Sequence, residues 1–213
     1  MAIYCDTSSL KHVATMPFPL FTGDFTFMFW FKRTINEEGN LWMINHSDDT
    51  TNFSFRIGIE SGEIGVNYLA TGFVYYGVSY DVWYHLSVYA GKVYNDAMGN
   101  NFYGRLNGNA TKVLDSGNDW FSYTFPSNNL CAMYSGAINW WTPATGFKPS
   151  ICAVKAFKGE MQPGEIRAEM YSNTPVQWKR CIFNLPLDFS AFGTGAQFVN
   201  QRGFGGTIKV ATS

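Results

Sequence analysis

Phenylalanine occupies every second position from Phe25 to Phe31. A β-strand places alternate side chains on opposite faces, so the four rings lie on one face of the strand. A second layer of structure must cover an aromatic face of this size, because leaving it in water costs free energy. The pattern therefore predicts a two-layer β architecture with these rings between the sheets.

Short alternating segments with turn residues between them continue along most of the chain. The clearest turn is Asn107-Gly108, a two-residue hairpin signal that follows an apolar segment at 102–106. One helix is predicted, over 163–171, because Pro163 stands at its start and two apolar residues lie four positions apart. Many short strands with almost no helix are typical of a β-sandwich or barrel. The length of 213 residues favours a jelly roll of two curved sheets.

The two ends of the chain carry weaker patterns. Segment 3–13 predicts a first pair of strands, and the apolar segment 181–187 predicts a strand that closes a sheet. The glycine-rich stretch 193–206 predicts a surface loop. Because no linker is visible, we expect a single domain over 1–213, of which 193–213 is a glycine-rich C-terminal segment.

Composition narrows the choice of partner. The formal net charge is −1 and no basic run occurs, so we expect no binding to nucleic acid. No apolar stretch is long enough to span a bilayer, so we expect no membrane partner. No signal peptide is visible, so we expect that the protein either stays where it is made or leaves by another route, such as assembly into a particle. The charged share is 15% and the aromatic share 18%. Either a partner covers part of this surface, or a large aromatic core holds the rings.

The order of four segments resembles the laminin-G-like, or concanavalin A-like, jelly-roll family. These segments are DFTFMFWF at 24–31, WYHLSV at 83–88, RLNG at 105–108, and AVKAF at 153–157 followed by 161–171, which contains the predicted helix. The hairpin departs from the family pattern, since Arg105 replaces its usual aromatic residue. The resemblance implies an all-β fold, a two-sheet antiparallel jelly-roll sandwich with one short helix.

The same resemblance carries an expectation about function. Proteins of this kind that begin at Met1 without a signal are similar to virion-associated proteins of tailed phages. This implies a non-enzymatic virion structural protein, a capsid decoration or tail appendage with surface adhesion as a further role. We then expect assembly in the host cytoplasm and location in the virion. The expected partners are other virion proteins or a homo-oligomer such as a trimer. The alternative is a soluble carbohydrate-binding lectin module whose partner is a glycan.

An enzymatic role is not expected from the carboxylates. Glycoside hydrolases of this fold carry paired carboxylates on one strand, where they flank the scissile bond. The closest sequence here is Glu60-Ser61-Gly62-Glu63, which falls in a predicted hairpin turn. Charged residues are common in solvated turns. We therefore predict that the chain has no hydrolytic activity.

Paired aromatic residues are the best candidates for binding. Trp140 and Trp141 are adjacent in a predicted loop, and adjacent side chains of an extended loop do not both point inward. An exposed indole stacks on a sugar or anchors a protein interface, although a packed loop explains the pair almost as well. Tyr75 and Tyr76 form a similar pair in a weaker context.

A metal site is the last candidate. Asp48, Asp49 and Asn52 supply oxygen ligands in one polar loop, and Ca²⁺ prefers such ligands. A plain polar connection is the other interpretation of this loop. We expect no other cofactor. The four cysteines match no zinc or redox spacing, and either free thiols or pairs between neighbouring strands remain open.

Overall fold

The structure is a computed structural model, and it describes thirteen stretches of the chain. These are residues 3–4, 14–17, 25–33, 39–45, 53–60, 62–68, 72–90, 102–109, 112–114, 129–132, 150–185, 197–199 and 207–210.

Strands make up most of the described residues, with one helix near the end of the chain. The strands are β1 (Ile3–Tyr4), β2 (Ala14–Pro17), β3 (Phe25–Lys32), β4 (Gly39–Asn45), β5 (Phe53–Glu60), β6 (Glu63–Tyr68), β7 (Gly72–Gly77), β8 (Trp83–Ala90), β9 (Phe102–Leu106), β10 (Lys112–Leu114), β11 (Asn129–Ala132), β12 (Ser150–Lys158), β13 (Cys181–Leu185), β14 (Gln197–Val199) and β15 (Thr207–Val210). The helix is α1 (Pro163–Met170), which confirms the predicted helix.

Two antiparallel sheets contain all of these strands. A 7-stranded sheet has the order β1-β12-β3-β8-β9-β10, with β13 also paired to β12. An 8-stranded sheet has the order β14-β15-β2-β11-β4-β5-β6-β7. The predicted two-layer β architecture is therefore confirmed.

The four phenylalanines of β3 lie in the core, as their alternation predicts. Phe25, Phe27, Phe29 and Phe31 are at most 1% exposed. The rings of Phe27 and Phe29 are 5.6 Å apart and those of Phe29 and Phe31 are 5.8 Å apart, both tilted. Tilted rings at this spacing attract through their quadrupoles in addition to burying apolar area. On the 8-stranded sheet, the buried core residues include Ile57, Ile59, Ile64 and Val66.

The hairpin between β9 and β10 turns at Asn107-Gly108, as predicted. Both residues have positive φ, 54° and 66°. A two-residue turn with two left-handed positions matches the twist of the strands it joins, and Asn-Gly tolerates it best. The side chain of Asn107 also accepts a hydrogen bond of 2.9 Å from the backbone N–H of His85, which fixes the turn against β8.

Helix α1 covers the other face of β3, so this strand is buried on both sides. Met28 is 0% exposed and packs in an apolar cluster with Phe157, Met161, Ile166, Met170 and Cys181. The hydroxyl of Thr26 donates to the carbonyl of Gly159 at 2.8 Å, and the indole N–H of Trp30 donates to the carbonyl of Met170 at 2.9 Å. We call this side of the 7-stranded sheet the outer face.

A β-bulge in β12 sets which of its residues reach the outer face. Cys152 pairs with Trp30 but Lys155 pairs with Met28, so β12 has one more residue than β3 between these points. Ala153 takes a left-handed conformation with φ 50° inside this irregularity. Side chains alternate along a strand, so one extra residue reverses the faces that follow. Lys155 consequently lies on the outer face with Met28.

The ends of the chain differ from the sequence predictions. Segment 3–13 was expected to form one strand pair, but β1 pairs with β12 and β2 belongs to the opposite sheet. Part of the stretch expected to be a loop, 193–206, forms β14, which pairs with β15. Strand β13 does join a sheet, next to β12. Cys131 and Cys152 lie on different sheets, and Cys152 carries a free thiol.

The burial of β3 generates a stability prediction. Phe29→Ala removes a ring that is 0% exposed, so the free energy of unfolding should fall by about 3–5 kcal/mol. Urea denaturation measures this loss. Val176→Ala is the control, because Val176 is 51% exposed and its truncation should change stability by about 0.5 kcal/mol or less. Equal effects of the two changes would contradict the assigned core.

Candidate functional site

A buried ion pair joins the outer face to helix α1. The ammonium of Lys155 lies 2.8 Å from the carboxylate of Glu169, and their side chains are 1% and 0% exposed. The same ammonium donates to the backbone carbonyls of Glu169 at 2.9 Å and Ser172 at 2.5 Å. A buried charge is tolerated only when it is paired and hydrogen-bonded, and three acceptors use the three N–H donors of this lysine.

This ion pair also holds the segment that follows the helix, residues 171–180, which we call the post-helix loop. The second carboxylate oxygen of Glu169 accepts a hydrogen bond of 2.6 Å from the backbone N–H of Gln177. The carbonyl of Asn173 accepts one of 3.2 Å from the side chain of Asn184 on β13. The loop backbone is therefore attached to α1, β12 and β13.

Arg180 fixes the far end of the post-helix loop. Its guanidinium lies 3.1 Å from the carboxylate of Glu165 in the first turn of α1. It also donates to the backbone carbonyls of Lys158, at 3.0 Å, and Glu160. These contacts return the chain from the loop to the sheet edge at a defined position.

The anchored loop presents large apolar side chains to solvent. Tyr171 is 80% exposed, Trp178 is 57% exposed and Val176 is 51% exposed. The ammonium of Lys179 lies 5.6 Å from the centre of the Trp178 ring. Single exposed apolar residues are common on protein surfaces, but three of them within eight residues on an anchored backbone are typical of a binding surface.

A stack of aromatic rings links Tyr171 to the sheet below it. The centres of the Tyr171 and Trp30 rings are 6.3 Å apart, and those of Trp30 and His85 are 5.3 Å apart. Trp30 and His85 are also direct partners across β3 and β8. The exposed ring of Tyr171 is thus supported by a half-buried indole and a buried imidazole.

The imidazole of His85 is a neutral ring in this stack. Burial lowers its pKa from 6.5 to about 3, and the nearby charge of Lys155 lowers it as well. Its Nδ1 has no hydrogen-bond partner among the described residues. Since the unfolded chain binds the proton more readily, this imidazole contributes stability above pH 6.5 that is lost as the pH falls towards 3.

A second group of exposed apolar side chains lies at the start of β8. Tyr80 is 44% exposed, Val82 is 43% exposed and Trp83 is 38% exposed. The turn that carries them is held by a backbone hydrogen bond of 2.8 Å from Asp81 to the carbonyl of Arg33. An ion pair of 3.5 Å between Lys32 and Asp81 lies at the surface beside it.

Tyr76 does not face solvent, although the sequence makes it a candidate binding residue. It is 8% exposed, and its hydroxyl donates a hydrogen bond to the carbonyl of Gly104 on the opposite sheet. A Cβ on Gly104 would lie 3.1 Å from that hydroxyl, so the absence of a side chain there admits the tyrosine. Tyr76 therefore connects the two sheets.

The other predicted site residues are not among those described. Trp140 and Trp141 lie outside the described residues, and so do Asp48, Asp49 and Asn52. Tyr75 lies on β7, but its side chain is outside the described part. The binding loop and the Ca²⁺ site remain predictions.

No group of three or more His, Cys, Asp or Glu side chains among the described residues is placed to hold a metal ion. No helix in the described part of the chain has both the length and the apolar character needed to cross a bilayer.

Sequence reasoning missed the post-helix loop. Tyr171 reads as the last residue of the predicted helix, and Trp178 stands alone between polar neighbours. The available signal was the polar character of the residues on either side of Trp178, Gln177 and Lys179, which favours an exposed position for that ring.

The comparisons with known proteins identify the fold. No family model and no curated protein sequence matches the chain. Among solved structures, a protein from Bacteroides ovatus assigned a carbohydrate-binding role matches with a TM-score of 0.57 and 14% identity, over 96% of this chain and 61% of that one. A native heptameric SAP-like pentraxin from Limulus polyphemus matches with a TM-score of 0.52 and 10% identity, over 95% and 91%.

A third match is the binding domain of a botulinum neurotoxin of serotype D/C. Its TM-score is 0.51 and its identity 14%, over 72% of this chain and 38% of that one. The chain thus spans less than two thirds of the Bacteroides and neurotoxin chains. At these identities the similarities establish the fold alone, an all-β antiparallel jelly-roll sandwich of the concanavalin A-like kind with one short helix.

The buried ion pair generates a prediction about the post-helix loop. Lys155→Met leaves the Glu169 carboxylate buried without its partner, so the free energy of unfolding should fall by about 3–5 kcal/mol. Hydrogen exchange at the Gln177 amide should become faster, because its acceptor is no longer held. The double change Lys155→Met with Glu169→Leu should restore much of the stability but not the slow exchange.

Lys158→Met is the matched control, since Lys158 is an exposed lysine on the same strand. It should leave both stability and exchange nearly unchanged. Unchanged exchange at Gln177 in Lys155→Met would contradict the assigned role of the ion pair.

Proposed function

We propose that this chain is a non-enzymatic carbohydrate-binding module of the lectin type, and that the post-helix loop binds the glycan. The observation that carries the proposal is the exposure of Tyr171 and Trp178 on a backbone held by the buried Lys155–Glu169 pair. An aromatic face stacks on the apolar face of a sugar ring, and a rigid loop loses little entropy when it binds.

The polar groups of the loop suit the same ligand. Sugar hydroxyls need hydrogen-bonding groups around the stacked ring, and the ammonium of Lys179 is such a group, 5.6 Å from the centre of the Trp178 ring. The Bacteroides ovatus protein assigned a carbohydrate-binding role supports the proposal through its fold, over nearly the whole of this chain. Because fold alone does not fix function, the exposed rings rather than the likeness carry it.

Two further expectations about function remain predictions. A role in a virion, as a capsid decoration or tail appendage, stays a prediction, and none of the solved structures named above supports it. The absence of hydrolytic activity also stays a prediction. Glu60 and Glu63 pair directly across the ends of β5 and β6, and Glu63 is exposed at that hairpin.

We also propose that the chain forms a homo-oligomer. Weak single-sugar contacts become strong when several copies bind one glycan surface together. The Limulus pentraxin, a protein of similar fold, is heptameric, and the low charged share of this chain suits covered surface. We expect light scattering after size exclusion to give the mass of two or more chains, each of 24.0 kDa. A mass equal to one chain at working concentration would contradict this part of the proposal.

A glycan array on wild-type protein, followed by titration of the best ligand, tests the proposed function. Trp178→Ala should weaken binding by about 2 kcal/mol, as truncation of an aromatic anchor does, while the melting temperature stays nearly constant. Tyr171→Ala should act in the same direction.

Trp83→Ala is the matched control, since it removes a partly exposed indole outside the post-helix loop. It should leave affinity unchanged. A loss of affinity in Trp83→Ala with none in Trp178→Ala would place the glycan elsewhere, and an array without any bound glycan would refute the proposed function.

A further inference from the structure

Arg33 is a buried cation with no counter-charge among the described residues. The residue is 5% exposed, and its Nε and Nη1 atoms have no hydrogen-bond partner among the described residues. The ion pairs of the described residues involve Lys32, Lys155 and Arg180, so Arg33 takes part in none of them. A buried guanidinium without a counter-charge is costly, because burial removes its hydration without replacing it.

Two parts of the fold lie close to this guanidinium. Its Cζ lies 4.0 Å from the centre of the Tyr80 ring. On another side is the β5–β6 turn, where a Cβ on Gly62 would lie 3.7 Å from Nη1 and 3.8 Å from Nη2. Gly62 has φ +83°, a conformation that favours glycine, so the turn both bends and approaches the arginine closely.

The Tyr80 ring is the accessible cover of this group. Tyr80 is 44% exposed in a surface turn, whereas the arginine beneath it is almost fully buried. Tyr80 lies in a turn and outside the strands, so displacement of its ring uncovers the guanidinium without breaking a strand pair. A ligand that reaches the guanidinium then meets unused N–H donors in a site of low dielectric constant, where charge-assisted hydrogen bonds are strong.

We propose that Arg33, beneath Tyr80 and beside the Gly62 turn, binds an oxyanion, either the carboxylate or sulfate group of an acidic saccharide or a free inorganic anion. The planar guanidinium fork matches the geometry of both groups and binds them in a bidentate way. The residues of this site differ from those of the post-helix loop, and the inference does not depend on the proposed function.

Two titrations distinguish the sources of the anion. One compares oligogalacturonate, in which each sugar carries a carboxylate, with its neutral methyl ester. The other compares the melting temperature in sodium sulfate with that in sodium chloride at equal ionic strength. Wild-type protein should bind the acid at least about tenfold more tightly than the ester, or gain stability specifically with sulfate. A response to sulfate alone identifies a free anion as the occupant.

Three variants assign the response to Arg33. Arg33→Gln should abolish the preference for the anion. Arg33→Lys, which keeps the charge but not the fork, should retain only part of it. Arg167→Gln is the matched control, because it removes an exposed arginine from α1 and should behave as wild type.

Two results would overturn the inference. One is that wild-type protein binds the acid and the ester with equal affinity and also has equal melting temperatures in the two salts. This result does not depend on the folding of any variant. The other concerns Glu63, the exposed carboxylate next to Gly62. If Glu63→Gln destabilises the protein as much as Arg33→Gln and the double change adds nothing, then Glu63 is the counter-charge and the site takes no ligand.

Discussion

The buried pair of Lys155 and Glu169 is the constraint on which the outer face of the molecule depends. A lysine enters this apolar layer only because the bulge at Ala153 turns its side chain towards α1. Once there, the ammonium requires acceptors, and the helix carboxylate and the following carbonyls supply them. Such pairs contribute little net stability compared with apolar packing, but their geometric demands are strict. Here those demands fix the path of the post-helix loop.

Periodicity predicted the parts of the fold that depend on local sequence. The phenylalanine alternation of β3 and the Asn107-Gly108 turn follow from side-chain geometry and backbone conformation, and both are confirmed. The pairing of β1 with β12 could not be predicted in this way, because it joins residues far apart in sequence. Alternation also shows that β3 has two faces, but it does not indicate which element covers the second face. Helix α1 covers that face, and the apolar pattern of this helix is too short to predict where the helix packs.

The candidate site was less predictable than the fold, for a related reason. Tyr76 looked like a surface residue in sequence, yet the small Gly104 on the opposite sheet makes room for its ring. Trp178 looked unremarkable, yet the hydrogen bond from Gln177 to Glu169 holds the neighbouring backbone so that the indole remains 57% exposed. In both cases a contact that sequence periodicity does not report decides exposure. Local pattern identifies which residues can bind but not which of them reach the surface.

Two cations are buried in the described part of the chain, Lys155 on β12 and Arg33 directly after β3, and the same desolvation cost has different consequences for them. Lys155 satisfies its charge within the chain, so its environment is complete and its effect is structural. Arg33 has a ring on one side and a glycine turn on another, with no acidic partner among the described residues. Native proteins rarely retain a buried charge that nothing offsets, because a neutral side chain of similar size would be more stable. The cost of Arg33 is therefore best explained by an anion that arrives from outside the chain.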